Sequence, residues 1–226
     1  MNTNHATAIQ IVKDFASQGL EAPLYPGATR VLSGTKDMTG LNAWRARIGD
    51  EAADKILKES LEIGTSLDNI VENHFSKPGF DPDEYRGLPG FRLYQQILPH
   101  LRKIECVETQ LTVWSDAAKV KGIMDILGIF QDELTVIDIK NSIRPKKEEY
   151  IHDYFLQCTI YAMALHDLLG ISVKKIALVI GVRPGGDHLP IPQVFIRDTK
   201  DYVKEAVKRI RDYHSTHDYL REKGLK

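Results

Sequence analysis

Through most of the first 103 residues, apolar side chains recur three or four positions apart, which is the spacing of a helix that buries one face. The spacing predicts helices over 8–18, 41–75 and 91–103, with loops rich in Pro and Gly over 20–40 and 76–90. Gly49 and Gly64 interrupt the second stretch and are expected to divide it into successive helices. The first part of the chain is therefore predicted to be mainly helical.

After residue 103 the pattern changes to short runs dominated by β-branched and apolar residues. The predicted elements are strands over 104–113, 120–130 and 134–140, a helix over 147–169, strands over 173–183 and 191–197, and a terminal helix over 199–222. The helix between the third and fourth strands allows a crossover into a parallel pair. We therefore expect an α/β fold with a mixed sheet and an αβββαβ core.

The pattern shows no second core, and the chain is therefore predicted to form a single domain over 1–226. Its predicted parts are a mainly helical elaboration over 1–103, a core over 104–198 and a C-terminal helix over 199–226.

Charge is plentiful but balanced, since 30 Lys and Arg residues and 31 Asp and Glu residues give a formal net charge of −1. This balance argues against a protein that binds nucleic acid through bulk positive charge. No apolar run reaches the roughly 18–20 residues of a membrane span, and the N-terminus resembles neither a signal nor a transit peptide. We expect no membrane association and a cytoplasmic location.

Two aspartates interrupt the most apolar predicted strands. Asp125 lies within VKGIMDILGIF and Asp138 within LTVIDIK, where a buried carboxylate is costly unless a partner compensates. Lys140 follows Asp138 by two residues and so shares its face of the strand. If the two strands form a hairpin, a Mg2+ or Mn2+ ion could relieve the repulsion between the carboxylates and activate water. The alternative is a buried Asp–Lys pair without a metal.

The next predicted helix carries two further polar side chains at a suitable spacing. Gln157 and Tyr161 are four residues apart and share one face of the helix. A glutamine can position water or contact a phosphate oxygen, and a tyrosine can hydrogen-bond or stack on a base. The alternative is that Tyr161 belongs to the core and that Gln157 is a satisfied polar residue.

Basic residues cluster on two segments that flank these elements. One cluster precedes the Gly64-Thr65 helix and the other flanks the acidic strands; they comprise Arg30, Lys36, Arg45 and Arg47, and Lys119, Lys121, Arg144, Lys146 and Lys147. The functional interpretation is a phosphate-binding groove, and the alternative is ordinary solvated surface.

Three motifs together resemble the RecB-like branch of the PD-(D/E)XK nuclease superfamily: Gly122-x-x-Asp125, Asp138-Ile139-Lys140 and Gln157-x-x-x-Tyr161. Upstream segments are similar to the N-terminal half of the mitochondrial genome maintenance exonucleases and their phage-encoded relatives; these are Thr29-Arg30-Val31-Leu32-Ser33, Trp44-Arg45-x-Arg47-x-Gly49 and Gly64-Thr65-x-x-Asp68-x-x-x-Glu72. The resemblance covers roughly residues 28–165. It implies a restriction-endonuclease-like mixed sheet with a helical N-terminal arch.

The resemblance also implies roles for individual residues. Asp125, Asp138 and the Ile139 carbonyl would bind the metal ion, and Lys140 would be the catalytic lysine. Glu108 would be an outer ligand through water, and Gln157 would support the site. Asp68 occupies a position where these nucleases usually carry a His ligand, so it is a candidate ligand by replacement, and the alternative is that this ligand has been lost. The residues expected to contact DNA are Arg30, Ser33, Arg45, Lys121, Tyr161, Lys146 and Lys147.

The function implied is a Mg2+-dependent or Mn2+-dependent exonuclease that degrades DNA from single-stranded ends in a bacterial or phage-infected cell. Replication or recombination proteins of the host or phage are candidate partners. Two alternatives remain at this point: an endonuclease, specific for a structure or a sequence, with the same fold, and a non-catalytic DNA-binding module.

Overall fold

The computed structural model describes residues 3–185 and 190–222, with side chains over 5–185 and 190–217. The helices are α1 (Thr3–Ala16), α2 (Ala28–Gly34), α3 (Thr39–Ile48), α4 (Asp50–Ser76), α5 (Phe91–Leu101), α6 (His152–Leu169) and α7 (Lys200–Glu222). The strands are β1 (Ile104–Ser115), β2 (Val120–Phe130), β3 (Glu133–Ser142), β4 (Lys175–Val182) and β5 (Gln193–Asp198). Short 3-10 helices span Pro82–Tyr85 and Glu148–Tyr150.

The five strands form one sheet in the order β1-β2-β3-β4-β5. Three neighbouring pairs are antiparallel, whereas β3 and β4 are parallel and are joined through α6. A parallel pair needs such a crossover, and its strands are apolar on both faces. The predicted α/β fold with a mixed sheet and an αβββαβ order is confirmed.

Apolar residues pack on both sides of the sheet. The α6-side cluster joins residues of α1, α2, α6 and α7 to sheet residues such as Val136 and Leu178. The α4-side cluster joins residues of α4 and α5 to sheet residues such as Ile137 and Val179. Neighbouring positions on β3 and β4 therefore contribute to opposite clusters, as the two-residue period of a strand requires.

The prediction that Gly64 divides a helix is wrong, because α4 runs without interruption from Asp50 to Ser76. A Cβ at position 64 would lie 2.9 Å from Nδ2 of Asn141 on β3, so the missing side chain lets the helix approach the sheet closely. The predicted break at Gly49 is confirmed, since its φ of 86° lies in the left-handed region at the junction between α3 and α4.

The prediction of a loop over 20–40 is also wrong in part, because α2 lies within it and α3 begins at Thr39. Val31 and Leu32 of α2 are buried in the α6-side cluster, so tertiary packing stabilises a helix too short to form alone.

The predicted helix over 147–169 begins later, at His152, after the 3-10 turn at Glu148–Tyr150. The predicted C-terminal helix over 199–226 starts at Lys200, and its last four positions lie outside the described residues.

Among the described residues, no helix combines the length and apolar character needed to span a bilayer.

Candidate active site

The β2–β3 hairpin stops pairing at the level of the candidate aspartates. The ladder runs from Phe130↔Glu133 to Ile126↔Ile137 and ends there. The next residue on β2 is Asp125, whose Oδ2 accepts the backbone N–H of Ile139 at 2.8 Å. A buried backbone N–H requires a hydrogen-bond acceptor. Here the carboxylate of Asp125 accepts this N–H in place of a backbone carbonyl of the neighbouring strand.

Strand β2 also changes its orientation at Asp125. Before this residue Val120 and Met124 belong to the α6-side cluster, whereas after it Leu127 does. A regular strand would keep such residues an even number apart, so the face exchanges at Asp125. Across the β1–β2 ladder, Gln110 lies between the pairs Thr109↔Ile126 and Leu111↔Met124 and has a left-handed φ of 49°. Local backbone distortion of this kind re-aims side chains next to functional sites.

Asp138 is the most buried acid of the site, with 1% of its surface exposed. Its Oδ1 accepts a hydrogen bond of 3.1 Å from Nε2 of Gln157, and its Oδ2 lies 2.6 Å from Nζ of Lys140. Gln157 also donates to the hydroxyl of Tyr161 at 2.9 Å. The four side chains predicted from β3 and α6 therefore form one connected group.

Burial governs the ionisation of this group. It raises the pKa of Asp138 to about 7, against the opposing effect of the Lys140 ammonium and with a further contribution from the Asp125 carboxylate. Burial also raises the pKa of Asp125, which Lys140 and the Ile139 N–H partly offset. For Lys140 burial acts in the opposite direction, but the carboxylates of Asp138 and Asp125 outweigh it and raise its pKa. Lys140 is therefore a fixed cation.

Asp68 of α4 belongs electrostatically to the same site. Burial raises its pKa to about 7, and the charge of Asp125 adds to the increase while Lys140 opposes it. None of the described residues donates a hydrogen bond to its carboxylate. The structure thus brings a third acid, from a different layer of the fold, within electrostatic reach of Asp125 and Asp138.

The donor chemistry of the three aspartates fits a divalent cation. Their oxygens are hard ligands, and Lys140 alone does not offset the cost of burying Asp138 fully and Asp125 and Asp68 partly. Within residues 3–185 and 190–222, no group of three or more His, Cys, Asp or Glu side chains has the spacing of a formed metal site. The assignment of Asp125, Asp138, Asp68 and the carbonyl of Ile139 as metal ligands therefore stays a prediction.

Gly122 of the Gly-x-x-Asp motif has a steric explanation. A Cβ at this position would lie 2.1 Å from Cε1 of Tyr161, so the ring of Tyr161 occupies the space of a side chain. The glycine therefore lets α6 approach β2 close to Asp125.

Tyr154 is a site residue that the sequence analysis missed. The Nζ of Lys140 lies 5.4 Å from the centre of the Tyr154 ring, within the range of a cation–π interaction. Its position three residues before Gln157 on α6 was the available signal, because residues three apart share a helix face.

Glu108, the candidate outer ligand, lies in different surroundings. Its Oε1 accepts the backbone N–H of Thr109 at 3.1 Å, and its side chain lines a cleft of about 210 Å3 together with Phe15 and Gly19. Its charge helps to raise the pKa of Cys106 to about 12, after the larger effect of burial.

The segment before α2 occupies the space that β3 leaves beside β2. The backbone N–H of Lys121 donates to the carbonyl of Pro26 at 3.0 Å, and Gly27 and Lys121 form an isolated parallel β-bridge. Arg30 and Ser33 then lie on the exposed side of α2, one turn apart. The pairing at Lys121 and the contacts between α2 and β2 thereby bring α2, which carries Arg30 and Ser33, to the strand that carries Lys121.

The other basic candidates are placed differently. Arg45 donates to Asp50 at 3.0 Å and to Asp54 at 2.7 Å, so its guanidinium ties α3 to the start of α4. Lys147 is largely exposed, with Glu149 at 3.9 Å. Lys146 is half-buried in the loop after β3.

No protein-family model and no curated protein matches the sequence. Similar solved structures include a phage-related exonuclease from Haemophilus somnus 129PT, with 13% identity, a TM-score of 0.37 and coverage of 70% of this chain and 82% of that chain. The protein SSO0001 has 19% identity, a TM-score of 0.27 and coverage of 65% and 84%. LHK-Exo in complex with dAMP has 16% identity, a TM-score of 0.30 and coverage of 73% and 97%.

Proposed function

We propose that this protein is a metal-dependent nuclease that hydrolyses phosphodiester bonds of DNA, acting as an exonuclease on single-stranded ends. The observation that carries the proposal is the convergence of Asp125, Asp138 and Asp68 with Lys140 where β2 and β3 separate. One fully buried acid and two partly buried acids around one lysine are costly for stability, and such cost is typical of functional sites.

The proposed roles follow from the contacts. Asp125, Asp138, the Ile139 carbonyl and Asp68 would hold the cation, which supplies Lewis-acid activation of the phosphate and of the attacking water. Lys140 would orient that water and stabilise the negative charge that develops on the phosphate. Gln157 holds Asp138 in place and is in turn fixed by Tyr161. Arg30, Ser33 and Lys121 would contact the phosphates of the strand.

The test is a comparison of linear and circular single-stranded DNA with Mg2+ or Mn2+. Degradation of the linear form alone is the expected result for an exonuclease. Cutting of circles would replace this assignment with an endonuclease of the same site. If neither DNA nor RNA is cut with either ion, the enzymatic proposal is wrong.

A further inference from the structure

The crossover from β3 through α6 to β4 determines which residues of the strand and the helix face each other. Because β3 and β4 are parallel, α6 runs back along the sheet in the opposite direction to β3. Residues earlier on α6 therefore face residues later on β3. Gln157 contacts Asp138 at 3.1 Å, and Tyr154, three residues earlier, contacts Lys140, two residues later. The contact between Tyr154 and Lys140 thus agrees with the topology of the fold.

Lys140 has two contacts that define the position of its ammonium group. Among the described residues its one ion-pair partner is Asp138, with Nζ 2.6 Å from Oδ2. A lysine side chain has a flexible four-carbon stem, so a single carboxylate contact leaves several conformations open. The second contact is the ring of Tyr154, whose centre lies 5.4 Å from Nζ. The face of an aromatic ring attracts a cation at this distance.

The two contacts differ in what they share with the proposed metal site. Oδ1 of Asp138 accepts the hydrogen bond of Gln157, so Oδ2, the oxygen that Lys140 contacts, is the one left for a cation. An ammonium group and a metal ion beside one oxygen repel each other. The attraction of the Tyr154 ring does not depend on Asp138. The ring is therefore the contact that keeps Lys140 in place when Asp138 serves as a ligand.

The ring of Tyr154, and not its hydroxyl group, contacts the site. None of the described residues forms a hydrogen bond with this hydroxyl, whereas the hydroxyl of Tyr161 accepts one from Gln157 at 2.9 Å. Tyr154 is half-buried, with its side chain packed against the α6-side cluster. A phenylalanine at position 154 would therefore preserve the contact with Lys140.

We propose that Tyr154 is a positioning residue for Lys140, and that the face of its ring holds the ammonium group beside Asp138 for phosphodiester hydrolysis. The contact between the ring and the ammonium group is independent of catalysis. Its effect on turnover rests on the proposed function.

The first experiment measures steady-state cleavage of a single-stranded oligonucleotide. Tyr154→Leu should lower kcat at least tenfold and change KM by less than about twofold, because Lys140 acts on charge that develops in the transition state. Tyr154→Phe retains the ring and should recover kcat to within about twofold of the wild type. The matched control is Tyr85→Leu, which removes another half-buried ring, 5.8 Å from Lys77, and should leave kcat unchanged.

Three kinetic results would overturn the inference. Equal turnover of Tyr154→Leu and Tyr85→Leu would show that Lys140 does not need the ring. A loss in Tyr154→Phe as large as that in Tyr154→Leu would assign the effect to the hydroxyl group. A rise in KM with an unchanged kcat would place the ring against the DNA strand. Thermal melting identifies a temperature at which every variant is folded.

The second experiment changes the electronic character of the ring and largely preserves its shape. Tyr154→Phe is prepared with zero, one, two or three ring fluorines, which progressively weaken the attraction of the ring face for a cation. The logarithm of kcat should fall steadily with the number of fluorines. The same series at Phe155, whose ring centre lies 5.5 Å from Arg197, should leave kcat unchanged. The absence of a trend at position 154, or equal trends at both positions, would contradict the proposed role.

The third experiment does not require cleavage. The fluorinated series at position 154 is unfolded in urea with EDTA present, with Lys140 intact and in a Lys140→Met background. The urea midpoint should fall with each fluorine when Lys140 is intact, and this fall should be absent in the Lys140→Met background. The same dependence in both backgrounds would mean that the ring does not hold Lys140. If the wild type cuts no nucleic acid, the proposed function fails, while this experiment still decides whether the contact exists.

Discussion

The two ends of the β2–β3 hairpin are built from one pair of strands but are chemically opposite. At the turn end, from Ile126↔Ile137 to Phe130↔Glu133, the backbones pair continuously and the side chains are almost all apolar. At the open end, beyond Ile126 and Ile137, the pairing stops and charged side chains take its place. We call these the paired end and the open end.

The comparison shows how a backbone distortion and a functional site depend on each other. Where the ladder ends, the N–H of Ile139 needs an acceptor, and the carboxylate of Asp125 supplies it at 2.8 Å. That hydrogen bond fixes Asp125 beside β3, where Asp138 and Lys140 are already held by the strand and by Gln157. The paired end thus stabilises the fold through backbone pairing and apolar packing, whereas desolvation of the acids at the open end lowers the stability.

The largest expected contrast between the two ends is in turnover. Lys140→Ala should reduce kcat at least about 1,000-fold while DNA binding persists, because it removes a charge needed only at the transition state. Asp138→Asn should abolish cleavage too, with metal-free stability unchanged or raised, since a buried repulsion is relieved. Steady-state kinetics and thermal melting give the two readouts.

The control for that contrast is Val136→Ala at the paired end, two residues before Asp138 on the same strand. This change should lower stability by about 1–3 kcal/mol and leave turnover within a few-fold at a temperature where the variant is folded. Near-normal turnover of Asp138→Asn would show that the metal site has been assigned incorrectly.

The next effect is on the pH dependence of stability of the metal-free protein. Asp68 and Asp138 each have a pKa of about 7 in the folded protein, against an ordinary aspartate pKa of 3.8. The folded state therefore binds more protons between these values, and the free energy of unfolding should fall as the pH rises from about 4 to 7. The total change is on the order of a few kcal/mol, measurable by urea unfolding at each pH.

Asp68→Asn should flatten part of this slope, because the group no longer titrates. Thr135→Val, a buried and non-titrating position at the paired end, should leave the slope unchanged. Stability that is flat or rises across this pH range in the wild type would contradict the buried-acid description of the open end.

A smaller effect is expected from filling the space of a glycine at each end. Gly122→Ala places a Cβ 2.1 Å from the Tyr161 ring, and Gly128→Ala places one 2.8 Å from Cγ2 of Ile104. Both should destabilise the fold by about 1–3 kcal/mol, but only the open-end variant should also lose turnover, because it displaces Tyr161 from Gln157.

Combining Gly122→Ala with Tyr161→Leu should cost less stability than the sum of the two single changes. The reason is that the Tyr161 ring, which the new Cβ at position 122 would clash with, is absent in the double variant. Additive losses in denaturant unfolding would mean that the strain lies elsewhere.

The smallest effect is expected at Glu108. Its carboxylate accepts the N–H of Thr109 beside the α1 cleft, so Glu108→Gln should change turnover by less than about twofold. A loss of tenfold or more, measured with both Mg2+ and Mn2+, would place this carboxylate in the active site.

Much of the site could be predicted from sequence because its residues violate local expectations. Asp125 and Asp138 are anomalous within apolar strands, Lys140 follows at the strand period, and Gln157 and Tyr161 follow at the helix period. The structure joins Asp138, Lys140, Gln157 and Tyr161 through contacts and brings Asp125 beside them. Tyr154 was missed because an aromatic residue on an amphipathic helix is usual.

The errors in the fold have a shared cause. A helix of seven residues between Gly27 and Gly34 has no local signal strong enough to predict it, and α2 exists because Val31 and Leu32 pack on α6 and α7. Gly64 looked like a helix breaker, whereas its role is to let α4 approach Asn141 on β3. In both cases a long-range contact outweighs a local preference.

The sequence by itself determined the α/β class, the order of strands and helices, and the identity of the acids and the lysine on β2 and β3, because these depend on hydrophobic periodicity and on residues a few positions apart. Only the tertiary structure decided where β2 and β3 separate, that the carboxylate of Asp125 accepts the N–H of Ile139, and that the segment before α2 pairs with β2 at Lys121. These relations join residues far apart in the chain, and packing and electrostatics set them through space rather than along the backbone.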